Sequence, residues 1–147
     1  MTNRQGEAPL RETTAGRAET LLAVSVKATP ATASAEDLHE VRIRAKRVRY
    51  AAEAVGPSLR GKKAKRARQF ADRAAALQDV LGANQDTVVA RRAIAQAAGL
   101  RPEDAAFGVA TTSLFERQQE LAIEYRYLYP KAWTKLNRPK RTKWMRV

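Results

Sequence analysis

The sequence contains no cysteine, which excludes disulfides, thiolate nucleophiles and thiol-ligated metals and fits a reducing compartment. Its single histidine, His39, leaves nothing from which to build a His-rich metal site. The opening residues Met1 to Glu7 lack the apolar core of a signal peptide, and no apolar run approaches a membrane span. Glycine and proline are sparse, at 7 and 6, and β-branched residues stand singly instead of in strand-like runs. These absences leave a cytoplasmic protein with no membrane partner, no resident metal or cofactor, and no strands.

Alanine, leucine, arginine, lysine, glutamate and glutamine dominate instead, all strong helix formers. A chain of 147 residues suits one domain with one core. The 28 Lys+Arg against 15 Asp+Glu leave a formal charge of +13, more than solubility needs and costly in self-repulsion once the chain is compact. An anionic partner would relieve that repulsion. Charge alone does not say whether the partner is nucleic acid, a membrane surface or a soluble polyanion.

Residues 1–34 read as a flexible segment, with a short helix over Arg17 to Lys27 carried by Leu21, Leu22 and Val24. Ser34 and Asp37 then form a capping-box-like start to a helix running from Ala35 to Val55. Gly56, in a left-handed conformation, and Pro57 are expected to stop it. A second helix is expected over Lys62 to Leu81, ended by Gly82, and a third from a cap at Asp86 to Gly99, the two forming a hairpin. Pro102, Glu103 and Asp104 open a fourth, in which Phe107, Leu114, Leu121 and Leu128 recur at heptad spacing until Pro130 interrupts. A basic tail, 131–147, carries Trp133 and Trp144. The fold expected is all-α, an antiparallel bundle of about four helices over 35–147.

On a wheel of about 100° per residue, Leu38, Val41, Ala45, Val48, Ala52 and Val55 share one arc of the first helix. His39, Arg42, Lys46 and Arg49 share another, with Tyr50 and Glu53 beside them, in a stripe roughly 15 Å long. Lys62, Lys65, Arg66 and Arg73 make a second stripe, away from Phe70 and Leu77. In an antiparallel bundle the two stripes are expected to border one groove, where guanidinium forks and ammonium groups suit phosphate oxygens.

The plain alternative is that each stripe is only the solvated side of an amphipathic helix. Solvated faces normally mix charge signs to gain pairs at i and i+4. The first stripe has no acid between His39 and Arg49, so function is favoured. Catalysis at His39 is not, because Arg42 and Ile43, one turn on, offer no orienting carboxylate. Asp79 and Asp86 invite a metal reading, but a helix cap explains Asp86, and Asp79 has basic neighbours. Trp133 reads as an anchor packing the tail onto the bundle; Trp144 is left open between anchor and base stacking.

The segment Leu38 to Glu53, with His39, Arg42, Lys46, Arg49 and Tyr50 at matching spacing, resembles the signature of the CHAD family, the conserved histidine α-helical domains. Leu77-Gln-Asp-Val-Leu-Gly-Ala-Asn-Gln-Asp86 is similar to that family's second hallmark, although Ala74, Ala75 and Ala76 stand where a lysine is often found. The resemblance covers about Ala35 to the C-terminus and corresponds to the second half of a domain built from two four-helix halves. It implies non-catalytic binding of inorganic polyphosphate in a basic channel, with polyphosphate granules as a place to find the protein. It further implies that a homodimer, or a separate N-terminal half, completes the domain. The rival reading is a nucleic-acid-binding basic helical protein, supported by the charge and the tryptophan-bearing tail but by no recognised reading motif. Phosphotransfer at His39 ranks last, since neither a metal site nor an activated nucleophile is evident.

Overall fold

The computed structural model describes residues 33–138 and 142–145, together with Pro9 and Gly16. The helix expected over 17–27 lies outside the described residues. Among those described the structure is helical throughout, with α1 at Ala35–Val55, α2 at Gly61–Gly99 and α3 at Ala105–Leu136. Short 3-10 turns lie at Gly56–Ser58 and Lys143–Met145. There are three long helices, not four.

α1 begins as its sequence dictates. The Ser34 hydroxyl accepts the Asp37 amide at 3.0 Å, and the Asp37 carboxylate accepts the Ser34 amide and hydroxyl, each at 2.8 Å. These bonds satisfy amides that the first turn leaves without partners and hold the Asp37 carboxyl below the usual carboxylate range. The other end departs from expectation. Gly56 keeps right-handed helical angles, φ −48° and ψ −48°, and leads into the 3-10 turn, where the Ser58 hydroxyl donates to the Val55 carbonyl at 2.8 Å. The left-handed residue is Gly61, at φ +58°, the first residue of α2. The chain reverses there and not at Gly56, so the glycine requirement moves with it.

α2 passes through Gly82 and Asp86 without a break. A glycine costs about 1 kcal/mol relative to alanine inside a helix. No proline or turn chemistry adds to that cost here, and buried Leu81, Asn84 and Thr87 hold the backbone on both sides. The expected hairpin is therefore one helix about 58 Å long. Pro102 and Glu103 precede α3 and do not form its first turn as expected; Asp104 is its cap, its Oδ1 accepting the Phe107 amide at 2.9 Å. Pro130 lies within α3 and does not end it: Tyr129 and Leu136, both in the core, anchor the helix on either side.

The core runs between α1 and α2 through the residues of the α1 wheel and Ala67, Phe70, Ala71, Ala74, Leu77 and Leu81. α1 and α3 each pack along α2 and share no comparable interface with each other. Tyr129, Leu136, Trp144 and Met145 complete the cluster near the start of α2. Trp144, 1 % exposed, meets the Phe70 ring edge-on at 5.9 Å between centroids, and Trp133 is partly buried against the same cluster. Both tryptophans are packing anchors, and base stacking by Trp144 is thereby removed. The leucines at heptad spacing are not the buried set of α3: Ala122 and Tyr129, one residue beyond Leu121 and Leu128, are buried with Leu136, while Leu114 is 55 % exposed.

Candidate functional site

The wheel that buries Leu38, Val41, Ala45 and Val48 forces His39, Arg42, Lys46 and Arg49 onto the flank of α1. His39 and Lys46 are exposed there, and Arg42 and Arg49 are half-buried at the seam with α2. His39, Arg42 and Lys46 make no hydrogen bond or ion pair with any described residue. Arg49 is engaged: its Nε donates to Glu53 Oε1 at 2.8 Å. That bond and the Glu53 charge raise the guanidinium above its ordinary range against the opposing effect of burial, with lesser help from Tyr50 and Asp79. Both side chains of this pair stay about a third or more exposed, at 32 % and 46 %, so the pair is weak enough for a multivalent anion to compete with Glu53.

Tyr50 ties the stripe together. Lys46 Nζ lies 5.7 Å and Arg49 Cζ 5.8 Å from the centre of its ring, so one phenol steadies two cations. Arg42 crosses to α2: its guanidinium lies against the backbone of Gly82, and its Nε is buried without a hydrogen-bond partner. Gly82, which the sequence suggested as a helix stop, thus belongs to the site. The signal available in the sequence was a glycine inside an unbroken alanine-rich helical pattern with no proline after it.

Lys62, Lys65 and Arg66 are exposed and Arg73 is half-buried, all without an acidic partner among the described residues. They do not join the first stripe. With Gly82 fixing the side of α2 that meets Arg42, Lys62, Arg66 and Arg73 lie roughly 160–200° away around the helix and Lys65 about 100° away. Two cationic surfaces therefore stand where one shared groove was expected, because α2 presents small residues, Ala75 and Gly82, and the carboxylate of Asp79 to the α1 stripe.

Asp86 lies within α2 and caps nothing, a correction to its expected role. Among the described residues no group of three or more His, Cys, Asp or Glu side chains is placed to hold a metal ion. No described helix is long and apolar enough to cross a membrane.

Fold and surface together define an all-helical protein with a cationic stripe on its first helix in which, among the described residues, Arg49 alone is ion-paired. The CHAD domain model matches residues 4–95, more than half of the chain, and the chain belongs to that family. The match takes in α1 and both motifs, begins well before Ala35, and ends within α2, so its extent differs from the resemblance read from about Ala35 onward. No curated protein and no solved structure matches the chain.

Proposed function

We propose that the protein binds inorganic polyphosphate without acting on it chemically. His39, Arg42 and Lys46 form the principal contact, with Arg49 and Tyr50 at one end of the stripe. The observation that supports this most is the set of three neighbouring donors lacking any acidic partner on a chain whose cations could readily have been paired at i+4, as Arg44 is with Glu40 at 3.1 Å. A long anion that follows α1 toward its C-terminal end reaches Arg60 and then Lys62, Lys65, Arg66 and Arg73, which act as a second, separate surface.

Charge reversal distinguishes the two surfaces. Arg42→Glu with Lys46→Glu should weaken binding of a long polyphosphate by roughly 30-fold or more, as expected for losing two contacts of about 1–2 kcal/mol each. Reversing Lys62 and Arg66 should cost less. Equal binding by the α1 variant and the parent would contradict the reading. The nucleic-acid alternative predicts the reverse ranking of ligands: single-stranded DNA or RNA of matched phosphate number would displace polyphosphate at physiological salt.

A further inference from the structure

Among the described glycines, only Gly82 has side-chain atoms of another residue within 4 Å of where its Cβ would stand. Those atoms are Arg42 Nε at 3.4 Å and Nη2 at 3.9 Å. Gly56, Gly61, Gly99 and Gly108 face open space. Gly82 also has no left-handed φ to justify it, since only Gly61 does. A glycine in mid-helix is a poor helix former; an alanine Cβ here would make only ordinary contact with Arg42, so what this approach requires at position 82 is a small residue.

From this we infer that Gly82 is a positioning residue for anion binding: it leaves a shallow seat on α2 into which the Arg42 guanidinium settles, fixing its direction before ligand arrives. The inference rests on the reading of the α1 stripe as the anion contact. Arg42 gives up solvent to lie there, because its Nε is buried with no acceptor. One turn earlier on the same side of α2, Gln78 has a buried Oε1 with no donor, so the seam does not hold Arg42 by hydrogen bonding. Shape holds it instead. An arginine seated in this way loses less rotamer freedom on meeting a phosphate than the exposed Lys46 does. The second sequence motif thereby acquires a physical role, in which Gly82 seats Arg42 and Asp79 supports the charge of Arg49.

Four variants test this by titration with polyphosphate of defined length at several salt concentrations, alongside thermal melting. At 3.4 Å an alanine Cβ only touches Nε, so Gly82→Ala should melt higher than the parent and bind within about twofold of it. Gly82→Leu cannot share the space with Arg42. It should weaken binding by the same factor as Arg42→Ala, roughly fivefold or more, and lower the salt slope by about one phosphate contact. The double variant Gly82→Leu with Arg42→Ala should bind no worse than either single one, since both remove the same contact. Should Gly82→Leu lose its helical signal, the flexible Gly82→Gln carries the same comparison. Additive losses, or Gly82→Leu binding like the parent while Arg42→Ala binds weakly, would overturn the seat and leave the stripe intact. Arg42→Ala binding like the parent would instead remove the reading of the stripe, and the seat with it.

Discussion

Trp144 is the residue whose loss should be felt most. It is 1 % exposed and edge-on to Phe70, so Trp144→Ala should lower unfolding stability by about 3–5 kcal/mol, whereas its exposed neighbour Lys143→Ala should change it by less than about 0.5 kcal/mol; denaturant titration checks both. Asp37 gives a pH test. Its folded pKa is depressed by the Ser34 hydrogen bonds, so the stability it contributes is present above the ordinary carboxylate value of 3.8 and fades as pH falls through the lower folded value. Helicity of the parent should therefore drop more steeply than that of Asp37→Asn over that acidic window, followed by circular dichroism. The capping box was legible because its two partners are three residues apart and their chemistry is local. The burial of Trp144 was not, because it depends on where the chain goes after Asn137, which no local pattern encodes.

At the scale of elements, the α1 wheel was legible in full, since its core arc of Leu38, Val41, Ala45, Val48, Ala52 and Val55 is buried and the cationic stripe lies off it. Glycines misled. Gly56 and Gly82 both carry the local signature of a helix end, and each remains right-handed because the turn is completed elsewhere or not needed at all. Gly61 is the position that requires glycine, at φ +58°. Gly61→Ala should therefore cost about 1–2 kcal/mol, while Gly56→Ala, with open space around its Cβ, should be neutral or slightly stabilising; paired thermal melts distinguish them. α3 was misread by one residue of phase. Leucines at heptad spacing dominate the apolar count, but the residues buried are Thr111, Ala122, Tyr129 and Leu136, of which all but Leu136 are small or amphipathic and undervalued by hydrophobicity alone.

For the whole molecule, the charge of +13 is the quantity from which the functional reading follows. Ion pairs leave that excess untouched, and it is spread unevenly: α1 has five Lys+Arg against four Asp+Glu, α2 eight against three, and residues 138–147 five against none. A bound polyanion should therefore stabilise the fold by about 2.7 kcal/mol at a hundredfold excess over its Kd, seen as a rise of several degrees in Tm that fades with added salt. That charge was legible at once, but its division into two surfaces was not, because it depends on how α2 is turned against α1, which the shared core and the approach of Arg42 to Gly82 reveal. The most direct test is the salt dependence of polyphosphate affinity for the parent and for Arg42→Glu with Lys46→Glu. A cationic stripe that binds phosphates predicts a steep linear fall of log affinity with log salt in the parent and a slope shallower by about two contacts in the variant. Parallel lines for the two proteins would contradict it.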